Sequence, residues 1–563
     1  MQLTAATILI GGEAGQGLAT VGHLLTKTLV RAGYDVVVTQ DYQSRIRGGH
    51  NTFAIRTTLP GEGPRVAAPS ASVDILVALN QETIDLHTPA LTPGGVLLMG
   101  QAMSAHDVNA LAVPYKELIP KPIFENVAAL GVLCGLLGLD RAHPARLVTE
   151  QFQKKGQDVI DQNLAVLAKS HDWVEQQPHG FGPLAKAPAR GEHLALNGNE
   201  AVALGAMAAG CTFCSYYPMT PATSVPMMLA AHAETVGIVV EQAEDEIAAV
   251  NMVLGASYAG ARAMTATSGG GFALMVEGVS LAGMTETPLV VFLSQRPGPA
   301  TGLPTRTEQA DLTLALYAGH GEFPRAIFAP GTIEQCFHLT VHAFNQAEKA
   351  QTAIFVLSDQ FLADSVRNVE PFDLAALPPA VLPDRSDDAP ESYQRYAVTE
   401  SGVSPRRLPC AGQSLVVLDS DEHTPDGHIT EDLAVRVTMH EKRLRKHALL
   451  RTDAIPPDYD GPPTPDLLLA CWGSTLGAVQ EAAALLRAEG QAVGVLHFTQ
   501  VWPLNPDHFL PRFAQAGKVV MVEGNHAGQL ANCIRMETGF AMTQCITRYD
   551  GLPFTARYIL DRL

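Results

Sequence analysis

Three short runs between Ser215 and Gly278 carry residues suited to moving a proton and holding a carboxylate. The first is the polar turn S-Y-Y-P-M-T-P at 215–221. The second, V-V-E-Q-A-E-D-E-I-A-A-V-N-M-V-L-G-A at 239–256, leads a carboxylate into an apolar helix. The third is the Gly-rich T-A-T-S-G-G-G-F at 265–272. The helix expected over 246–260 holds Ala248, Ala249, Gly255, Ala256, Ala259 and Gly260, small enough for another backbone or a flat ring to approach closely. Glu246, beside Ile247 and Val250, is expected to be partly desolvated, which suits a carboxyl to holding and releasing a proton. Glu244 and Asp245 have a plainer use, as acids favoured at the start of a helix. Thr220 and Arg296 offer a hydroxyl and a forked guanidinium, the pair that a carboxylate ligand wants. Arg296 ends the apolar strand 289–293, extended through Ser294 and Gln295, and Pro297 keeps a helix from burying it. Arg306 is a candidate for a second, distal carboxylate.

These residues need a doubly wound α/β frame. The second domain begins near Asn197 with a helix carrying into Cys211, and its strands are expected at 238–241, 262–267, 289–293 and 353–357. Ahead of it, Thr7–Ile10 reads as a strand entering G-G-E-A-G-Q-G, followed by a helix from Leu18 to Ala32 and by strands at 35–39, 73–79 and 95–99. That βαβ order predicts a parallel sheet. The glycines run G-x-x-G-x-G, not the G-x-G-x-x-G of a dinucleotide site. The loop therefore reads either as backbone N–H groups offered to an anion by Gly15, Gln16 and Gly17, or as a tight turn with no ligand. Arg45 and Arg47, in Q-D-Y-Q-S-R-I-R-G-G-H-N, fall at the same sheet edge. Residues 1–180 form this first domain and the Pro/Gly-dense 181–194 a linker; the second domain spans 195–369. Residues 370–464 read as a long, partly ordered connection containing one helix at 432–447; its D-S-D-E-H-T-P-D-G-H lacks calcium-loop spacing and reads as a solvated loop. A last α/β domain covers 465–563, with Glu523 at a strand end in a structural role.

Lys+Arg 38 against Asp+Glu 57 gives a net charge of −19, which argues against nucleic acid and anionic membranes as partners. An acidic electron carrier would also be repelled, so its docking belongs elsewhere. No apolar run is long enough to span a bilayer, and the start of the chain lacks the basic region of a signal peptide. Among 8 Cys, Cys211 and Cys214 make the one C-x-x-C, read as two small apolar residues, and no metal site is assigned. The chain reads as reduced and cytoplasmic.

The combination of Glu246, the small-residue helix and Y-P-M-T-P at 217–221 resembles the pyrimidine-binding domain of thiamine-diphosphate enzymes, and more closely the α chain of the 2-oxoacid:ferredoxin oxidoreductases. The segment 40–51 resembles the S-R-G-G segment of that family's γ domain, here fused ahead of the α chain, and 465–563 resembles the transketolase C-terminal fold used for packing and assembly. The resemblance implies that Glu246 activates thiamine diphosphate, that Tyr217, Pro218, Ser268, Gly269 and Gly270 line the cofactor, that Thr220, Arg296 and Arg306 hold the substrate, and that the first domain holds coenzyme A. The chain has no G-D-G motif for Mg²⁺ and diphosphate and no cysteine run for a [4Fe–4S] cluster. A β subunit is expected to bring both, in a dimer of αβ pairs that reduces ferredoxin. The implied reaction is oxidative decarboxylation of a 2-oxoacid to an acyl-CoA, possible in reverse; Q-R-P-G-P-A-T-G-L-P-T at 295–305 looks most like the 2-oxoglutarate members, with pyruvate and other 2-oxoacids as alternatives. Two readings of other classes are a nucleotide-dependent dehydrogenase, opposed by the glycine spacing, and a non-catalytic assembly subunit, opposed by Glu246 and Thr220.

Overall fold

The computed structural model describes residues 2–13, 16–42, 49–61, 67–384, 393–410 and 414–563. They form two compact units, Met1–Leu196 with Asp364–Pro371, and Asn197–Ala363 with Phe372–Leu563.

The first unit is built on an eight-stranded sheet. Its opening strand Ala5–Glu13 is buried along nearly all its length, and the helix Leu18–Arg31 lays Val21, Leu25 and Leu29 on the core. The sheet is mixed, which corrects the parallel sheet expected from the βαβ order. The strand His50–Thr58 runs antiparallel to both Ala5–Glu13 and Asp35–Asp41 and sits between them. The alternation Phe53, Ile55, Thr57 inward against Ala54 and Arg56 is the period of two that makes it a strand. Strands Val73–Ala78, Leu91–Gly100 and Ala110–Val113 continue in parallel on the other side.

The second unit holds two sheets. The larger contains Phe213–Tyr216, Val239–Gln242, Ala263–Thr267, Leu289–Gln295, Arg325–Phe328 and Ala353–Asp359, parallel throughout, with Gln500–Trp502 antiparallel at one edge. Leu289–Gln295 and Ala353–Asp359 are buried at every residue, as central parallel strands covered on both faces must be. The smaller sheet has Leu467–Trp472, Val493–Phe498, Lys518–Glu523 and Gln544–Thr547 in parallel, with Asp458–Asp460 antiparallel at its edge. One apolar core runs from Phe272, Leu293 and Phe355 of the larger sheet to Trp472, Leu496 and Met521 of the smaller.

The described residues of the stretch read as a long, partly ordered connection include many that are packed. The helix Leu433–Thr452 buries Lys442 and Lys446, and Arg395, Tyr396 and Arg406 are buried ahead of it. The segment read as a solvated loop is anchored too: His423 is fully buried against the Tyr396 ring, and Glu422 accepts from Arg436 and Arg443. Charged residues hid this packing from a hydropathy reading, because the burial is paid for by ion pairs between segments far apart in sequence.

Candidate active site

Glu246 is the first residue of the helix Glu246–Tyr258. Asp245 caps that helix, its Oδ1 accepting from the Ala248 N–H at 2.7 Å, so of the two neighbouring acids it is Asp245 that ends the backbone ladder. Glu246 is 3% exposed, and its Oε1 is buried with no hydrogen-bond partner. A Cβ placed on Gly271 would stand 2.5 Å from that oxygen, and it would also collide with the Thr267 hydroxyl. Only glycine at 271 leaves the carboxylate its room. The cover over Glu246 comes from this glycine turn and not from Ile247, which is 50% exposed.

The glycine turn follows the buried strand Ala263–Thr267. Ser268 precedes the short helix Gly269–Leu274, and its hydroxyl is buried without a partner. A Cβ on Gly270 would lie 3.5 Å from the Ala300 carbonyl and 4.0 Å from Met219 Sδ. The Y-P-M-T-P turn, the Gly-rich turn and the loop after Arg296 therefore converge. Tyr217 and Pro218 are exposed at this place. Cys211 and Cys214 are buried just ahead of it, as small apolar residues.

Thr220 and Arg296 are brought together: Arg296 Nη1 donates to the Thr220 carbonyl at 2.7 Å. The bond uses the main chain, which leaves the Thr220 hydroxyl outside it. Arg296 follows directly on the strand Leu289–Gln295, and its Nε is buried with no hydrogen-bond partner. Arg306 lies farther along the loop, its Cβ and Cγ packed against Gly551 in the last segment of the chain.

The sequence reading passed over Asp311. Its carboxylate lies against Gly269, where any side chain would strike it, and its Oδ2 is buried without a hydrogen-bond partner. Its N–H donates to Gln295 Oε1 at 2.9 Å. Burial, reinforced by Glu308, pushes the carboxyl up to about 6 against the pull of Arg296. In T-R-T-E-Q-A-D the pair Glu308 and Asp311 was the available signal, but nothing local shows that Asp311 turns inward.

The loop carrying these groups is clasped by the smaller sheet. Gln309 donates from Nε2 to the Trp472 carbonyl at 3.0 Å and accepts at Oε1 from the Gly524 N–H at 2.8 Å. Its own N–H donates to the Gly524 carbonyl, and Asn525 Nδ2 donates to the Gln309 carbonyl. Thr307 adds a bond to the Gly551 carbonyl. The last segment of the chain thus shapes the loop after Arg296 as well as packing. Glu523 is structural: it accepts from Trp472 Nε1, Asn525 Nδ2 and the N–H groups of Leu530 and Ala531.

In the first unit, Gln16 closes its own turn, its Oε1 accepting from the Glu13 N–H at 2.8 Å. Gly17 has φ 81° and precedes the helix Leu18–Arg31. Gly15, Arg45 and Arg47 lie outside the described residues. No helix of the described residues is long and apolar enough to cross a membrane.

Comparison with known proteins places this geometry. Residues 204–442 match the family model of the pyruvate flavodoxin/ferredoxin oxidoreductase thiamine-diphosphate-binding domain, and residues 7–173 match the pyruvate ferredoxin/flavodoxin oxidoreductase model. The 2-oxoacid:ferredoxin oxidoreductase subunit alpha of a Sulfolobus species is 31% identical over 97% of this chain and 94% of its own length. The 2-oxoglutarate oxidoreductase subunit KorA of Mycobacterium tuberculosis is 29% identical over 99% of this chain and 90% of its own. Among solved structures, the 2-oxoglutarate:ferredoxin oxidoreductase from Magnetococcus marinus, with 2-oxoglutarate, coenzyme A and succinyl-CoA bound, superposes with a TM-score of 0.92 at 32% identity, covering 100% of this chain and 99% of that one. Likeness from end to end in sequence and in fold, around a buried glutamate with one open oxygen, makes this chain a member of the 2-oxoacid:ferredoxin oxidoreductase family, in the position of its α subunit.

Proposed function

We propose that this chain is the α subunit of an enzyme that oxidatively decarboxylates 2-oxoglutarate with coenzyme A, giving succinyl-CoA and CO₂ and passing two electrons to ferredoxin. The observation that carries the reading is the buried, unpartnered Oε1 of Glu246 over Gly271. A buried acceptor without a partner is rare in native proteins and fits a ring nitrogen supplied by a ligand. The pyrimidine half of thiamine diphosphate matches that opening, with Ser268, Gly269, Gly270 and Tyr217 beside it. When bound, the cofactor would supply a nucleophilic carbon and an electron sink for the decarboxylation. Glu246 holds and moves the proton at the pyrimidine ring. Arg296, with Thr220, holds the 1-carboxylate, and Arg306 is the group for the distal carboxylate that 2-oxoglutarate has and pyruvate lacks.

A β subunit would bring Mg²⁺, the diphosphate site and the [4Fe–4S] cluster, in a cytoplasmic dimer of αβ pairs. The first unit, through Gly15, Gln16, Gly17, Arg45 and Arg47, would hold coenzyme A. The reading is tested by exchange of the cofactor C2 proton in the co-purified complex. Glu246→Gln should slow it sharply, and wild-type exchange in that variant sinks the assignment. Turnover of the same complex on a panel of 2-oxoacids tests the substrate: pyruvate preferred over 2-oxoglutarate would overturn the role given to Arg306.

A further inference from the structure

The two arginines that the proposed function gives to the two ends of the substrate stand on one loop, and that loop folds back on itself. The Leu303 N–H donates to the Pro297 carbonyl at 3.0 Å, and the Arg306 N–H donates to the Leu303 carbonyl at 3.1 Å. Two hydrogen bonds in series thus link Arg306 to the residue after Arg296. Past Arg306 the loop is fixed from two sides. Thr307 Oγ1 donates to Oδ1 of buried Asp359 and accepts from the Phe361 N–H, both at 3.2 Å, at the end of the strand Ala353–Asp359. On the other side the Thr307 N–H donates to the Gly551 carbonyl at 3.2 Å.

Gly551 does more than accept that bond. It is buried, its φ is 82°, and a Cβ placed on it would stand 3.1 Å from Arg306 Cβ and 3.3 Å from Arg306 Cγ. The bare glycine is the surface on which the Arg306 stem rests, at a φ that most residues avoid. The turn that carries it is braced. Arg548 donates from Nε and Nη2 to the Asp550 carboxylate and from Nη1 to the Pro553 carbonyl at 2.6 Å. Asp550 Oδ1 also accepts from the Leu552 N–H at 3.0 Å. The Arg548 N–H donates to the Glu523 carbonyl at 3.1 Å, which ties the turn to the strand Lys518–Glu523.

We propose that Gly551 is a specificity-determining positioning residue: it aims Arg306, so that the site favours a 2-oxoacid with a second carboxylate, and a side chain at 551 removes that preference. This rests on the reading that Arg306 holds the distal carboxylate. The stem of an arginine is apolar and takes its direction from what it packs on, while the charged end goes to its ligand. A side chain at 551 pushes on the first two carbons of that stem, and a small turn there is carried along the whole side chain to the guanidinium. Arg296 stands outside this effect, held by the end of the strand Leu289–Gln295 and by the Thr220 carbonyl. The two ends of the substrate are therefore fixed by separate parts, and the distal end alone answers to position 551.

The test uses the complete complex with its partner subunit. It reads the KM for 2-oxoglutarate beside the inhibition constant of 2-oxobutyrate, a competitor without a distal carboxylate. Gly551→Asn brings a residue that tolerates positive φ and adds a side chain against Arg306. It should raise the 2-oxoglutarate KM about tenfold with kcat near wild type, and leave the 2-oxobutyrate constant unchanged. Gly551→Asp has nearly the same shape but adds a carboxylate that occupies the guanidinium, so the KM should rise about a hundredfold, again for 2-oxoglutarate alone. A merely structural role would not separate Asn from Asp, nor one ligand from the other. Equal changes for the two ligands, or no change in either, overturn the proposal. Should neither variant assemble, Asp550→Ala releases the brace and keeps the glycine: a selective rise of about threefold is expected, and an absent or unselective one overturns the proposal. Arg306→Ala separates the two levels. If it moves both ligands alike, or neither, the distal-carboxylate role of Arg306 falls. If it raises the 2-oxoglutarate KM alone while the variants at 551 do not, the part given to Gly551 falls and that of Arg306 stands.

Discussion

Glu246 and Glu286 lie in the same unit, both almost wholly buried, and the protein treats them in opposite ways. Glu286 receives Lys442 Nζ at 2.6 Å and also pairs with Lys446, and Arg395 Nη2 bonds its main-chain carbonyl at 2.7 Å. Burial pushes this carboxyl up, but Lys446, Lys442 and Arg395 outweigh it and hold it down at about 2. It is a permanent anion that pins the helix Leu433–Thr452 to the core. Glu246 has a glycine turn where Glu286 has cations, and one oxygen faces nothing. A buried acid paired with two lysines is architecture; the oxygen left open on Glu246 is what the proposed function assigns to the cofactor.

That contrast can be broken in four ways. The largest effect is expected from Glu246→Gln, which should lower turnover of the assembled complex about 10²–10⁴-fold while the thermal midpoint stays near wild type, because no internal partner is lost. A collapse in melting temperature would show that Glu246 is architectural after all. Glu286→Gln should do the reverse: leaving Lys442 and Lys446 buried beside a neutral group costs about 3–5 kcal/mol in denaturant unfolding, with turnover per folded molecule retained. The same carboxylate has a signature in acid. Its folded value lies below the ordinary 4.5, so its stabilisation, about 3 kcal/mol, is present above pH 4.5 and is lost as pH falls toward 2. Acid unfolding curves of the Glu286→Gln variant should lack that component. The smallest effect is expected from Gly271→Ala, whose new methyl group must displace Glu246 or Thr267 at a cost of about 1–3 kcal/mol. It should reduce turnover more than it reduces stability, and equal losses in both would blur the contrast.

Much of this could be read before any coordinates. The position of Glu246 at a helix start, the strand leading to Arg296 and the turn at Thr220 follow from short-range pattern, and each sits close to where the pattern puts it. What escaped depends on partners distant in the chain. Glu286 lies in the unremarkable T-E-T-P, with its lysines more than 150 residues away. Asp311 is set apart by Gly269 and Gln295, which no period connects to it. His50–Thr58 escaped for a different reason: its alternation was visible, but the arginines and glycines before it drew attention as a ligand loop. In the segment from Arg395 to Lys446, charge alone suggests solvent exposure, whereas pairing lets charge go inside.

The Gln309 clasp has a consequence for anyone who would exchange the loop to which the proposed function gives the substrate. The stretch from Arg296 to Asp311 invites transplantation as a cassette, yet its middle is stitched through both ends of one amide to Trp472 and Gly524, and through its carbonyl to Asn525. A graft taken from a relative would arrive without its matching corner and would settle in a different curve. The transferable part is a pair of segments, 296–311 and 523–525, which have to be exchanged together.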